Sequence, residues 1–320
     1  MLEAGVEWVV TPARLALLLV GATMVAPASA QEHASPQTPV FATGTDLVNV
    51  TVTVRDPKGR FVSDLKREDF VVQEDGRIQA VQVFARAVEP GHNDTLSLDL
   101  GLLLDTSESM LKQLKLSQEA AVRFLEAIPR AHDLITIFFD EDIRLSRYDS
   151  ENQQGLIERI ETMKAGGFTA LYDAIALYMA RVQDSTGRKV LVLFTDGEDT
   201  RSSIGAGELL QAIRSSAVTI YPIGMLGGFS SGSAQLLQSR AFLQQIAEVT
   251  GGQLFTPAAS KDLAAVYQKI LDELSTQYVI GFVSDNPRHD GKFRKLRVDV
   301  HRRGLAVRHR TGYYGPAPGR

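Results

Sequence analysis

The sequence predicts an α/β protein in which a doubly wound, mainly parallel sheet is inserted into, or flanked by, a small antiparallel β domain. Between residues 95 and 275, continuously apolar segments of strand length alternate with helical patterns, which is typical of a parallel sheet covered on both faces. On either side of this region, short strand patterns are separated by turn residues, which is typical of antiparallel β structure. Because isolated hairpins are only marginally stable, we expect the two β segments to meet in one domain.

Composition narrows the classes of function. The 320 residues are 44% hydrophobic and 22% charged, which is ordinary for a globular protein with room for more than one core. The formal net charge of −4, without a long block of one sign, argues against nucleic-acid binding. The sequence contains no cysteine, which excludes disulfides, thiolate metal sites and cysteine nucleophiles. Oxygen and nitrogen atoms must therefore provide any chemistry.

The N-terminus has the pattern of a secretory signal. An apolar run at residues 15–26 follows Arg14 and precedes Ala28 and Ala30, which have the spacing of a signal-peptidase site. The run is too short to span a bilayer comfortably. We therefore expect residues 1–30 to be a signal peptide cleaved after Ala30, with export to the periplasm or the cell exterior; an uncleaved anchor is the alternative. Residues 31–40 are polar and contain proline, which predicts a flexible leader.

Residues 41–94 are expected to form the N-terminal part of the β domain. Valines alternate with polar residues at 48–55, which predicts a half-buried strand. Residues 70–74 and 78–84 flank Asp75-Gly76, a pair that favours a tight hairpin turn.

The α/β domain is assigned to residues 95–275. Strands are expected at 96–104, 134–139, 190–194 and 218–223, with a shorter one at 252–255. Helical patterns lie at 115–128, 152–163, 171–183, 207–216, 239–249 and 261–274.

Residues 276–315 are expected to complete the β domain, with residues 316–320 as a tail. Strand patterns lie at 278–283, 293–301 and 305–311. The stretch 276–320 carries ten Lys and Arg against three Asp, which is a net charge of +7. Two interpretations are open: peripheral contact with an anionic surface such as lipid headgroups or polysaccharide, or packing of a basic sheet against an acidic neighbouring domain.

Ligands bind to open α/β sheets outside the carboxyl ends of the strands. In this sequence, polar residues follow the predicted strands at that end. Asp105, Ser107 and Ser109 follow the first strand, Asp196 follows the strand at 190–194, and Thr169 lies in a glycine-containing loop before a helix. Two carboxylates and three hydroxyls suit Mg²⁺ or Mn²⁺, suit Ca²⁺ less well and suit zinc poorly. With so few charged ligands, the cation would attract a carboxylate from outside.

Each loop also has a simpler interpretation. The first could be a set of helix N-caps, and Asp196-Gly197 or Gly166-Gly167 could be ordinary turns. The three loops together favour a metal site. The nearby acidic residues are expected to be a solvated rim: Glu108, Glu198 and Asp199.

The spacing Asp105-x-Ser107-x-Ser109, together with Thr169 and Thr195-Asp196-Gly197, resembles the metal-ion-dependent adhesion site (MIDAS) of von Willebrand factor type A (VWA) domains. The resemblance implies a Rossmann-like fold in which the three hydroxyls bind the cation directly and the two carboxylates act largely through water. It also implies that an acidic side chain of a partner completes the coordination. The flanking β segments resemble those of secreted bacterial proteins described as VWFA-related.

The sequence thus predicts a non-enzymatic, exported adhesion or interaction protein that binds an Asp or Glu carboxylate of a protein partner through a divalent cation. One alternative is a structural or assembly component whose metal site is satisfied within its complex. Another is a hydrolase. Ser230 lies in a G-x-S-x-G match at 228–232, but the match lacks the strand-to-helix turn of a nucleophile elbow; a metal-assisted hydrolase would need Glu108 or Glu198 as its base.

Overall fold

The computed structural model describes residues 47–87, 97–128, 133–148, 153–185, 187–228 and 232–318. All of these belong to one compact unit, residues 41–320. The predicted signal peptide, the predicted leader and Ser230 lie outside the described residues. Within the described ranges, no helix is both long and apolar enough to cross a membrane.

The centre of the α/β part is a five-stranded sheet with the strand order β7-β6-β5-β8-β9. Its strands are β5 (Leu98–Asp105), β6 (Asp133–Phe139), β7 (Ile143–Tyr148), β8 (Arg188–Thr195) and β9 (Thr219–Gly224). All neighbours are parallel except β7, which runs antiparallel to β6 at one edge. In β5, every residue from Asp99 to Asp105 is buried, as expected for a central strand covered on both faces.

Helices cover both faces of this sheet, which confirms the doubly wound α/β prediction. On one face lie α1 (Leu114–Ala127), α2 (Gln153–Thr162) and α6 (Ser260–Thr276). On the other face lie α3 (Leu171–Arg181), α4 (Ala206–Ser215) and α5 (Ala234–Thr250). The apolar side chains of the strands are divided between two cores, one under each helical layer.

The remaining strands form two antiparallel four-stranded sheets, ordered β12-β1-β10-β4 and β13-β11-β2-β3. Their strands are β1 (Leu47–Arg55), β2 (Phe70–Glu74), β3 (Arg77–Gln79), β4 (Val83–Arg86), β10 (Tyr278–Val283), β11 (Phe293–Val300), β12 (Ala306–His309) and β13 (Gly312–Tyr314). Both sheets contain strands from before and after the α/β part; for example, Val50 of β1 lies opposite Ile280 of β10. One apolar core, with Val50, Val72, Ile280 and Val298 among its members, lies between the sheets. The α/β part is thus inserted into a β sandwich.

The hairpin at Asp75-Gly76 forms as predicted. Glu74 pairs with Arg77, and the two turn residues have φ values of 47° and 81°, the positive values that a type I′ turn requires. The prediction of one continuous strand at 78–84 is wrong, because these residues belong to two strands, β3 and β4. The chain crosses from one sheet to the other between β3 and β4, and the side chain that points inward in β3 is polar: Gln79 is buried while Ile78 is exposed.

Other element predictions also need correction. Strand β7 was not predicted, because its residues are only half buried at a sheet edge and its polar positions weaken the pattern. The strand expected at 252–255 is a single bridge from Phe255 to Ile223. Helix α5 begins at Ala234 rather than at 239. The strand expected at 305–311 is the shorter β12, and β13, which belongs to the other sheet, was not predicted.

The basic C-terminal segment is partly neutralised within the fold. Four of its arginines form ion pairs: Arg294 with Glu74, Arg297 with Asp299, Arg302 with Asp64, and Arg308 with Glu273. Others, including Lys292 and Lys295, are exposed. Packing against acidic neighbours therefore accounts for part of the segment's charge.

Candidate metal centre

The candidate site lies at the carboxyl edge of the central sheet, where three loops meet. Strands β5 and β8 are parallel neighbours, with Leu104 opposite Phe194, so the residues that follow them emerge side by side. The loop before α3 is bound to the first loop by two backbone hydrogen bonds, from Gly166 N to Thr106 O at 2.9 Å and from Glu108 N to Gly167 O at 3.0 Å. The three loops are thus one connected structure.

Asp105 is at the centre of the site and is fully buried. The Ser107 hydroxyl and backbone N–H donate to Asp105 Oδ1 at 2.6 and 3.0 Å. The Thr195 hydroxyl donates to Asp105 Oδ2 at 2.6 Å. The two hydroxyl oxygens of Ser107 and Ser109 lie 3.0 Å apart. Because both carboxylate oxygens accept hydrogen bonds, the orientation of the carboxylate is fixed.

Asp196 joins the same cluster from the loop after β8. Its Oδ1 accepts a hydrogen bond from Glu198 N at 3.0 Å, and its charge is close enough to act on Asp105. Asp196 is 3% exposed, whereas Ser109 is at the surface. The cluster is therefore buried at its base and open to solvent on the side of Ser109.

Thr169 connects the other two loops. Its backbone N–H donates to Thr200 Oγ1, and its carbonyl accepts from the N–H groups of Thr200 and Arg201, all at 2.9 Å. The residue is 3% exposed, and its hydroxyl makes no hydrogen bond to any described residue. The hydroxyl oxygen is thus available to a ligand.

The electrostatics of the site favour a cation. Burial and, after it, the nearby charge of Asp196 raise the pKa of Asp105 to about 7, although hydrogen bonds from Ser107 and Thr195 act in the opposite direction. Burial also raises the pKa of Asp196. Two desolvated carboxylates close together are unfavourable, and a bound divalent cation would offset both effects.

The donor set fits a hard divalent cation. In the described part of the chain, no three His, Asp or Glu residues cluster as a metal site would require, so a cation here depends on hydroxyl ligands. Two carboxylates and three hydroxyls are ligands of the kind that Mg²⁺ and Mn²⁺ accept, with water completing the octahedron. The residues that would hold it are those named from the sequence: Asp105, Ser107, Ser109, Thr169 and Asp196.

Two supporting residues were given no role from the sequence: Thr195, which was named only as part of the motif, and Asp140, which was not named. Thr195 orients Asp105 and also accepts a hydrogen bond from Gly197 N at 3.0 Å. Asp140 follows β6 and braces the loops: its carboxylate accepts from Thr106 Oγ1 at 3.1 Å, and its carbonyl accepts from Ala170 N at 2.8 Å. A polar residue directly after an apolar strand was the available signal in both cases.

The expected solvated rim needs one correction. Glu108 is exposed as predicted, and the side chain of Glu198 contacts that of Gln235. Asp199 is not simply solvated, because its carboxylate accepts hydrogen bonds from Tyr172 N at 3.1 Å and from the Ser202 hydroxyl at 2.5 Å. This residue anchors the start of α3.

Fold and candidate site together define a class: doubly wound α/β domains with a cluster of carboxylates and hydroxyls at the carboxyl edge of the sheet. The family model of the von Willebrand factor type A domain matches residues 99–269, which is more than half of the chain and includes all five candidate ligands. The chain belongs to the VWA family. Membership supports an interaction or adhesion role. No curated protein matches the sequence significantly.

Several solved structures are similar to the chain at low identity. An aerotolerance-related membrane protein from Bacteroides fragilis is 20% identical, with 56% of this chain and 98% of that chain covered and a TM-score of 0.45. A von Willebrand factor type A protein from Catenulispora acidiphila is 12% identical, with 87% and 76% covered and a TM-score of 0.47. The pilus adhesin SpaC from Lactobacillus rhamnosus GG is 10% identical, with 83% and 48% covered and a TM-score of 0.46.

Proposed function

We propose that the chain is a non-enzymatic, exported interaction or adhesion protein of the periplasm or cell exterior. It binds an Asp or Glu carboxylate of a protein partner through a divalent cation, Mg²⁺ or Mn²⁺, at the MIDAS-type site. The observation that carries this proposal is the pair of buried carboxylates, Asp105 and Asp196, beside the hydroxyls of Ser107 and Ser109. Such a cluster is unfavourable without a cation.

Neutral and charged residues would contact the cation in different ways. Ser107, Ser109 and Thr169 would offer neutral hydroxyl oxygens directly, while Asp105 and Asp196 would act largely through water. Because the direct ligands are neutral, the bound cation would keep a positive charge and supply a coordination position for an external carboxylate. Ser109 lies at the surface, which supports access from outside.

The test is a calorimetric titration of Mg²⁺ and of Mn²⁺ into the EDTA-treated protein. Wild type is compared with an Asp105→Ala, Ser107→Ala double variant, and with an Asp285→Ala, Ser275→Ala control in which both residues are exposed and distant in sequence from the site. Binding heat in wild type and control, and none in the first variant, would support the proposal. No heat in folded wild type would overturn it.

A structural or assembly role is the second candidate. Four of the five site residues are almost fully buried, since Asp105, Ser107, Thr169 and Asp196 are at most 3% exposed, and this favours a cation that mainly rigidifies the loops. That role predicts that removing the metal lowers the melting temperature, while no external carboxylate competes for the bound cation.

A further inference from the structure

Large apolar side chains are exposed around the candidate metal centre. Among the described residues, four such side chains are exposed: Ile78 at 70%, Leu111 at 59%, Phe168 at 60% and Leu237 at 61%. Single exposed apolar residues are ordinary on any protein surface. Three of these four, however, belong to the loops and the helix start that surround one site. We call Leu111, Phe168 and Leu237 the apolar rim.

Each rim residue lies on a loop of the site or close to it in sequence. Leu111 closes the turn after Ser107, with its N–H donating to Glu108 O at 3.1 Å. Phe168 directly precedes Thr169. Leu237 lies near the start of α5, where the side chain of Gln235 is hydrogen-bonded to Glu198.

Two rim residues lie directly beside buried residues. Met110, which precedes Leu111, is fully buried, and Thr169, which follows Phe168, is 3% exposed. The same loops therefore place apolar side chains inside and outside at adjacent positions. A clustered exposed apolar surface beside a binding site is typical of a protein-contact surface.

The charge of the loops around the site restricts how acidic a partner segment can be. Acidic residues outnumber basic ones on these loops and on the turn after β6. The acidic residues are Glu108, Glu141, Asp142, Glu198 and Asp199, and the basic ones are Lys112, Lys164 and Arg201. A strongly acidic partner would be repelled everywhere except at the cation. A segment with one acidic residue among uncharged or basic neighbours meets no such repulsion.

We infer that the apolar rim binds a protein segment in which a single acidic residue is flanked by large apolar side chains. The acid reaches the cation, and the flanking side chains cover Leu111, Phe168 and Leu237. This inference rests on the proposed function, because it assumes that the site engages an external carboxylate. It adds the class of partner sequence that the site selects.

The test uses three peptide probes against the Mg²⁺-loaded full chain, with affinities measured by NMR titration. The probes are acetyl-Leu-Asp-Phe-amide, acetyl-Gly-Asp-Gly-amide and acetyl-Asp-Asp-Asp-amide. We expect the apolar probe to bind at least about tenfold more tightly than the glycine probe, since it buries apolar surface that the glycine probe lacks. The triple-aspartate probe is expected to bind no more tightly than the glycine probe.

Variants test whether the preference for the apolar probe depends on the apolar rim. Phe168→Ser and, separately, Leu111→Ser should reduce the tenfold preference to less than about threefold, while both leave Mg²⁺ affinity unchanged. Ile78→Ser is the matched control, because Ile78 is equally exposed but lies in the β sandwich, and it should keep the full preference.

The outcomes separate the two claims. Equal, Mg²⁺-dependent binding of the apolar and glycine probes, or an undiminished preference in both rim variants, would overturn the inference and leave the proposed function standing. Mg²⁺ binding without binding of any probe would overturn the proposed function and the inference with it.

Discussion

Thr195 is the residue on which the orientation of Asp105 most depends after Ser107. Its hydroxyl donates to Asp105 Oδ2 and accepts from Gly197 N, and it is fully buried. Thr195→Val keeps the shape of the side chain but removes the hydrogen bonds that the hydroxyl makes with Asp105 Oδ2 and Gly197 N. We expect a loss of about 1–3 kcal/mol in the free energy of unfolding, with weaker Mg²⁺ binding, measured by urea denaturation and calorimetry.

The control for this prediction is Thr162→Val. Thr162 is an exposed threonine whose hydroxyl bonds within its own helix, to Glu158 O. Its substitution should change the free energy of unfolding by less than about 0.5 kcal/mol. Equal effects of the two substitutions would contradict the role given to Thr195.

Because His309 is partly buried in the β sandwich, we expect the stability of the protein to depend on pH. Burial lowers its pKa, and its Nε2 accepts a hydrogen bond from Val298 N at 3.0 Å while Nδ1 lies 2.6 Å from Arg310 O. The folded state therefore favours neutral histidine, with the proton on Nδ1. Its contribution to stability is full above pH 6.5, the ordinary pKa, and is lost as the pH falls below that value.

The measurement compares wild type with His309→Gln by urea denaturation at pH 7.5, 6.5 and 5.5. Taking the difference between the two proteins removes the effect of other titrating groups. We expect wild type to be more stable at pH 7.5 and the difference to shrink by pH 5.5. A difference that does not vary with pH would show that His309 titrates alike in the folded and unfolded states.

At the scale of elements, α6 is joined to the sandwich by one buried carboxylate. Glu273 is fully buried and forms ion pairs with Arg55 of β1, at 3.2 Å, and with Arg308 of β12. Tyr221 of β9 donates to the same carboxylate at 2.6 Å. Glu273→Gln removes the charge that compensates both guanidinium groups. Because the arginines are partly exposed, we expect the lower end of the usual cost, about 3 kcal/mol in the free energy of unfolding.

Urea denaturation checks this prediction, with Glu158→Gln as the control, since Glu158 is an exposed helical glutamate. The control should be nearly neutral. A Glu273→Gln variant as stable as wild type would mean that the buried ion pairs do not hold α6 against the sandwich.

The elements most predictable from sequence were those with one strong physical cause. Strands β5 and β8 are continuously apolar because helices cover both faces, and the Asp75-Gly76 turn needs positive φ at both positions. The strand at 78–84 was predicted wrongly because the buried residue of β3 is polar: Gln79 accepts a hydrogen bond from Asp285 N at 2.9 Å. Edge strand β7 is half buried and has no comparable signal.

The five residues of the candidate site could be named from the sequence because each lies in a loop that follows a predicted strand or precedes a predicted helix. Asp105, Ser107 and Ser109 are in one short segment, and loops after apolar strands were known places to search. The roles of Thr195 and Asp140 depend on which strands are neighbours, and the order β7-β6-β5-β8-β9 is set by packing of the whole sheet. No local pattern encodes that order.

At the scale of the whole molecule, the candidate metal centre and the sandwich lie at opposite ends of the central strands. Arg188, the first residue of β8, donates to Leu274 O and to Gln277 next to β10. Thr195, the last residue of β8, contacts Asp105 at the other end. Eight residues of strand separate the two by roughly 25 Å. A partner can therefore reach the centre without displacing the sandwich.

Metal binding should stabilise the whole unit, because a cation that binds the folded state alone shifts the unfolding equilibrium. At a Mg²⁺ concentration about 100 times the dissociation constant, the expected gain is about 2.7 kcal/mol. Thermal unfolding with Mg²⁺ and with EDTA measures it. The Asp105→Ala, Ser107→Ala variant should show the same melting temperature in both conditions; an equal Mg²⁺ shift there would place the cation elsewhere.

If the proposed function is right, the bound cation accepts a carboxylate from outside the protein. Water-proton relaxation of the Mn²⁺-loaded protein tests this during titration with acetyl-aspartate amide or, as the matched neutral probe, acetyl-asparagine amide. We expect the aspartate probe to displace Mn²⁺-bound water and lower the relaxation rate, and the asparagine probe to leave it unchanged. Unchanged relaxation with both probes, in protein shown to bind Mn²⁺, would rule out an external carboxylate ligand and favour a purely structural cation.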